Sequence, residues 1–227
     1  MSTYGQFCPV AKAAEILGER WTLLVVRELL LGTTRYSELQ RALAKASPTI
    51  LSKRLKELEQ AGVIERRQRP GARYAEYALT PAGRELATVV EAMGGWAARW
   101  AIGRLERDEL DEYFLMLDVS RRLRREAIPG GGATLGFRFR GGNGEPDWWL
   151  VADRAKADIC DTDPGYPIDL MISGALRTVT EVWLGHQPLA AARAAGKLRI
   201  CGQPQLERSL AQWLGFSAYA DVARTRR

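Results

Sequence analysis

The chain offers few residues from which nucleophilic, redox or metal chemistry could be assembled. Its three cysteines, Cys8, Cys160 and Cys201, stand far apart. With no CxxC pair among them, they build neither a disulfide framework nor a zinc site. His186 is the only histidine, which leaves no His-centred triad or ligand set. A Gly-rich phosphate loop, a GxSxG elbow and a HExxH pair are all missing from the sequence. We therefore expect no enzyme, no metal and no cofactor. Cys8 directly precedes Pro9, where a helix can begin, and the positive end of a helix favours a thiolate. It is a redox-sensor candidate, with a plain capping residue as the alternative.

Basic side chains offer a different chemistry, the binding of phosphate. The formal net charge is +6, from 33 Lys and Arg against 27 Asp and Glu. Dividing the chain after Glu106 leaves 16 basic and 11 acidic residues in front, and 17 and 16 behind. The excess is densest from Lys45 to Arg73, where 8 basic residues face 3 acidic ones. A basic stripe of this kind points to a nucleic-acid backbone, or otherwise to a solvated helix face.

The elements around the stripe decide between them. Ser37 followed by Gln40 fits a reciprocal N-terminal cap, and opens a short helix to about Leu43. Ser47-Pro48 then caps a second helix, with proline where no amide donor is needed. Leu51, Leu55 and Leu58 give that helix one buried stripe, and Gly62 ends it. Thr49, Ser52, Lys53 and Lys56 fall largely on the other side. Two short helices joined by a tight connector, the second basic outside, describe a helix-turn-helix. Two extended runs around Pro70-Gly71 follow as a hairpin, with Arg67, Arg69 and Arg73 near its tip. Such a wing can reach phosphate or the minor groove. Thr80-Pro81 starts a long helix toward about Gly103, whose apolar positions Leu86, Val89, Val90, Met93, Trp96 and Trp100 suggest a dimer seam.

The runs Cys8-Pro9-Val10, Gly18-Glu19-Arg20-Trp21-Thr22, Arg35-Tyr36-Ser37-Glu38-Leu39, Leu51-Ser52-Lys53-Arg54-Leu55-Lys56-Glu57-Leu58-Glu59 and Glu76-Tyr77-Ala78-Leu79-Thr80 resemble the winged helix-turn-helix regulators of the HxlR family. The resemblance covers residues 8–100. It implies a homodimeric bacterial transcription factor on double-stranded operator DNA, joined through its N-terminal helix and the helix after the wing. The recognition helix would be residues 47–60, with wing arginines on phosphate. Some family members use a cysteine at the place of Cys8 as a sensor. The expected DNA-binding residues are Ser37, Ser47, Thr49, Ser52, Lys53, Arg54, Lys56, Arg67, Arg69 and Arg73. Arg54, beside Leu55, has helix anchoring as its alternative role.

Beyond a charged hinge at residues 106–112 the pattern changes. Residues 113–126 read as a helix with a basic end, and Pro129 to Gly132 breaks it. Strands fit 135–140, 147–153, 157–161, 168–172 and 198–201; helices fit 174–184, 189–195 and 204–214. The two β-strand cysteines should be buried. The runs Gly185-His186-Gln187-Pro188-Leu189 and Gly196-Lys197-Leu198-Arg199-Ile200-Cys201-Gly202 resemble the end of a sterol-carrier-protein type 2 domain, over about 110–214. That resemblance implies an apolar tunnel. Met171, Trp183 and Trp213 would be its lining candidates, with ordinary core packing as the alternative.

The 227 residues, 46% of them hydrophobic, suit two modest domains. We expect a mostly α winged helix-turn-helix domain at 1–105, and an α+β domain at 110–227 with a mixed sheet and helices on one face. The apolar run near Trp21–Leu31 is too short to span a bilayer and no signal peptide is recognised, so a cytoplasmic location is expected. The function read from the sequence is a homodimeric, sequence-specific DNA-binding regulator that answers to an apolar small-molecule effector. The alternatives are a C-terminal domain that only braces the dimer, or a lipid-handling protein or enzyme whose basic region is incidental.

Overall fold

The computed structural model describes residues 3–68, 71, 73–101, 103, 105–139 and 146–224. They fall into two compact units, Met1–Gly94 and Gly95–Arg227. The division lies inside a helix at a glycine pair, ahead of the charged segment expected to be the hinge. That segment forms a 3-10 turn, Arg107–Glu109, in which the Glu109 carboxylate accepts the Glu106 N–H at 2.6 Å.

The first unit runs α1 (Pro9–Leu17), α2 (Thr22–Leu30), α3 (Tyr36–Ala42), α4 (Pro48–Gln60), β1 (Ile64–Arg67), β2 (Glu76–Leu79), α5 (Pro81–Glu85) and α6 (Ala87–Trp100). Its core gathers Val25, Val26 and Leu29 of α2, Leu39 of α3, the Leu51–Leu55–Leu58 stripe of α4, and Ile64 and Leu79 of the hairpin. Ser47 caps α4 as expected, its Oγ accepting the Ile50 N–H at 3.3 Å. Thr80 does the same for α5 through the Gly83 N–H at 3.2 Å. Gly83 is required here: a Cβ would stand 2.1 Å from the Val63 carbonyl oxygen.

Two expectations for this unit give way. α3 begins at Tyr36, so Ser37 lies within the helix, and the Glu38 carboxylate accepts the Arg35 N–H at 3.3 Å. Gln40 turns its amide forward instead, donating to the Ala46 carbonyl at 2.8 Å and tying α3 to the turn before α4. The single long helix after the wing is interrupted at Leu86. Along α6, Val89, Met93, Trp96 and Trp100 are exposed, whereas Leu86 and Val90 pack against the core. α1 buries no residue, and Phe7 just before it is 99% exposed.

Past the end of α6 and the 3-10 turn, the second unit continues with α7 (Glu112–Arg122) and carries β3 (Gly132–Arg138), β4 (Trp148–Asp153), β5 (Ala157–Cys160), β6 (Leu170–Gly174) and β7 (Leu198–Gly202). Strand order is β5-β4-β3-β6-β7, with β3 and β6 parallel and the other neighbours antiparallel. The remaining helices are α8 (Leu176–Trp183), α9 (Leu189–Ala194), α10 (Pro204–Arg208), α11 (Leu210–Trp213) and α12 (Ala220–Arg224). α7 stops four residues short of the expected Glu126, and the Arg124 N–H donates to the Trp213 carbonyl at 2.8 Å. The expected last helix breaks at Ser209, whose hydroxyl donates back to the Gln205 carbonyl at 2.8 Å, a contact that bends helices.

Strand alternation sorts the sheet's two faces. Leu135 and Phe137, Leu150 and Ala152, Leu170 and Ile172, and Leu198 and Ile200 join one core with residues of α7, α8, α10 and α11. The register sets Cys160, Trp149, Gly136, Met171 and Cys201 in one row on the opposite face. Met171 therefore points away from the helices and is no candidate for lining a pocket among them. The same alternation corrects the cysteines: Cys160 is half-buried and Cys201 exposed.

Candidate nucleic-acid interface

Successive helix residues lie about 100° apart. On α4 that spacing sends Leu51, Leu55 and Leu58 inward and gathers Thr49, Ser52, Lys53 and Lys56 on the outer side. All four are exposed. Lys53 Nζ lies 3.9 Å from Glu57 Oε1 one turn on, while its side chain remains 64% exposed. Ser47 is also exposed at the N-terminal end, and Ser37 is exposed on α3. The Tyr36 hydroxyl organises the α3–α4 junction. It donates to the Pro48 carbonyl at 3.1 Å and accepts from Ser52 Oγ at 3.3 Å.

Arg54 does not join this face. Only 7% exposed, it pairs with Glu19 Oε2 at 2.9 Å and with Glu57. A guanidinium held this way has no open side for DNA, so the anchoring alternative describes it. Sequence spacing does not reveal Glu19, 35 residues earlier, as its partner.

β1 and β2 pair antiparallel, with Arg66 opposite Tyr77 and Arg67 opposite Glu76. Arg66 and Arg67 are exposed, and Arg67 pairs with Glu65. Arg73 is exposed, with its guanidinium 5.3 Å from the Tyr74 ring centre. Arg69 lies outside the described residues. Two contacts missed in the sequence tether the wing to the α2–α3 connection: Tyr77 N–H donates to the Thr34 carbonyl at 2.8 Å, and Arg35 reaches Glu76 at 4.0 Å. The exposed cations of α4 and the wing thus include Lys56, Arg66 and Arg73.

A family model for the HxlR-like helix-turn-helix matches residues 16–104. The HTH-type transcriptional regulator YvaP of Bacillus subtilis, itself uncharacterized, is 42% identical over 97 residues, which are 42% of this chain and 90% of that protein. The chain belongs to the HxlR-like family. YodB of the same organism, an HTH-type transcriptional regulator, is 36% identical over 92 residues, 40% of this chain and 82% of YodB. The reduced form of B. subtilis YodB is a similar solved structure, at 34% identity and TM-score 0.38, covering 42% of this chain and 96% of that one.

In the HxlR-like unit, Cys8 occupies the cap position of α1, half-buried, and its side chain makes no capping hydrogen bond. Ahead of it, the Glu15 carboxylate accepts from the Tyr4 N–H and the Thr3 hydroxyl, both at 2.8 Å, and pairs with Lys12 at 3.1 Å. The Tyr4 amide first, then Thr3 and Lys12, hold the Glu15 carboxyl below the usual carboxylate range. Between α1 and α2, Trp21 adopts a left-handed backbone with φ 78°, and Arg20 lies over its ring at 5.2 Å. A left-handed conformation is costly for a bulky residue.

The second unit contains a partly open cavity of about 30 Å³ lined by apolar side chains, among them Trp183, Phe137, Val182, Leu214 and Phe216. Trp183 is the one expected liner found there; its indole N–H donates to Asp118 at 2.7 Å. Trp213 is wholly buried in the core, donating to the Leu206 carbonyl at 3.2 Å, and is not among the lining residues. Pockets for drug-sized ligands run to about 300–1,000 Å³, an order of magnitude larger. Among the described residues no three His, Cys, Asp or Glu side chains could hold a metal ion. No helix among them is long and apolar enough to cross a membrane.

Proposed function

We propose that the chain is a homodimeric, sequence-specific DNA-binding regulator of transcription. One observation carries the reading: the side of α4 turned from the core presents Thr49, Ser52, Lys53 and Lys56, with exposed wing arginines in the same unit. Hydroxyls and cations on a helix that fits the major groove read base edges. Cations on an adjoining hairpin bind phosphate. The naming of YvaP and YodB as transcriptional regulators supports the same reading. Selection from a random duplex pool, followed by gel shift of the enriched sequence, tests it. Enrichment of a two-fold symmetric site is expected; equal binding to enriched and scrambled duplexes overturns it.

The second copy covers the apolar surface of the first unit. Phe7, Val10, Val89 and Met93 stand exposed there, although α1 buries nothing of its own. Met93→Asp is expected to sediment as a monomer where the native chain sediments as a dimer. Among the described residues beyond the HxlR-like unit, the small cavity favours the brace over the effector tunnel. Long-chain and sterol ligands should give no thermal shift; a shift that grows with ligand concentration would restore the effector reading.

A further inference from the structure

The recognition helix α4 is held on both flanks of its buried leucine stripe. At about 100° per residue, Ser52 stands on one flank of Leu51, Leu55 and Leu58, and Arg54 with Glu57 on the other. The Ser52 flank is fixed by Tyr36, which bonds both the Ser52 hydroxyl and the Pro48 carbonyl. The Arg54 flank is fixed by Glu19, from the connection whose Trp21 is left-handed. We propose that Glu19 and Arg54 form a positioning pair that sets the rotation of α4 about its axis, and so which outer side chains meet the bases. The proposal rests on the DNA-binding reading above.

The leucine stripe alone specifies this rotation poorly. Aliphatic side chains tolerate small slides, because their attraction has no direction. A guanidinium shared between two carboxylates is directional. Arg54 is buried with its Nε unpartnered, a cost that core packing does not require. Glu19 is 51% exposed at its side chain, so the pair contributes little to fold stability through that partner. What Glu19 adds is a link, 35 residues apart in sequence, between the α1–α2 connection and the reading helix. A small rotation of α4 would displace Lys53 and Lys56 relative to base edges while leaving them near the backbone. Specific affinity is then the quantity that the pair controls.

The test compares full-length native protein, Glu19→Gln, Arg54→Met and the double variant. The probes are the duplex enriched by the native protein from a random pool and a scrambled duplex of equal length. Glu19→Gln should keep the native melting temperature and the native salt dependence, since no phosphate contact is lost. Its ratio of enriched to scrambled affinity should fall about tenfold, equivalent to about 1.4 kcal/mol. The double variant should discriminate no worse than Arg54→Met alone, because Glu19 acts through Arg54. An unchanged ratio in Glu19→Gln, or additive losses in the double variant, overturns the positioning pair while DNA binding stands. Failure of the native protein to enrich any duplex overturns both. If Arg54→Met does not fold, Glu19→Gln still decides through its ratio.

Discussion

Removing Arg66 and Arg73 of the wing separates phosphate binding from base reading. Both side chains are exposed. Lys53 and Arg67 are poorer choices, because Glu57 and Glu65 already share their charge. Each cation on phosphate contributes about 0.9 to the slope of log affinity against log salt. Arg66→Ala with Arg73→Ala should therefore lower the slope by about 1.8 per protomer. At about 0.1 M salt the same loss weakens binding by roughly sixtyfold per protomer, and by similar factors on enriched and scrambled duplexes. Between about 50 and 200 mM salt, native affinity should change about twelvefold more than that of the variant, per protomer bound. Fluorescence anisotropy with labelled duplexes at four or more salt concentrations reads both numbers. A double variant with the native slope refutes the phosphate assignment. A loss confined to the enriched duplex would instead make these residues base readers.

Ser47→Ala removes the cap of α4 and should cost about 1 kcal/mol in urea unfolding, with Ser47→Asp recovering most of it. Leu55→Ala, from a residue only 2% exposed on the same helix, should cost about 2–5 kcal/mol and release the reading helix from its core. Glu15 has its carboxyl depressed in the folded chain, so its hold on the N-terminal segment is complete above the ordinary carboxylate range. That hold is lost as pH falls through the depressed value, and proteolysis before Gly5 should accelerate only in that acid window. With maleimide, Cys201 should react ahead of Cys160, in the order of their exposure; the reverse order would contradict the greater burial of Cys160.

Local chemistry made much of this fold legible. Ser47-Pro48 and Thr80-Pro81 announce helix starts because cap and proline act within three residues. Alternation likewise located all five strands of the second unit to within a few residues. Features decided by distant partners stayed hidden. Arg54 looks like its neighbour Lys53 until Glu19 is brought to it. Met171 looks like a pocket residue until register shows that Leu170 and Ile172 own the helical side. The end of α7 at Arg122 is hidden too, because the Trp213 carbonyl that receives the departing chain lies far along the sequence. The cap of α3 failed for a local reason, since Glu38 and Gln40 both follow at plausible spacing and only one faces the free amide.

The parallel pairing of β3 with β6 has a consequence for the order of events during synthesis. β3, β4 and β5 follow one another in sequence as antiparallel neighbours and can zip together as soon as they are made, in about 1–10 µs per hairpin. Their helix-facing side chains, Leu135, Phe137 and Leu150, then have only α7 to cover them. The free edge of β3 waits for β6, and the cover waits for α8 through α11. β6 ends at Gly174, about 14 residues past Cys160, and α11 ends at Trp213, about 53 past it; at about 5–20 residues per second these take about 0.7–3 s and about 3–11 s to translate. For the shorter of these intervals the nascent ribbon shows both an apolar face and an unpaired strand edge. That interval is when a chaperone would engage this chain, and when two nascent copies would pair wrongly through β3.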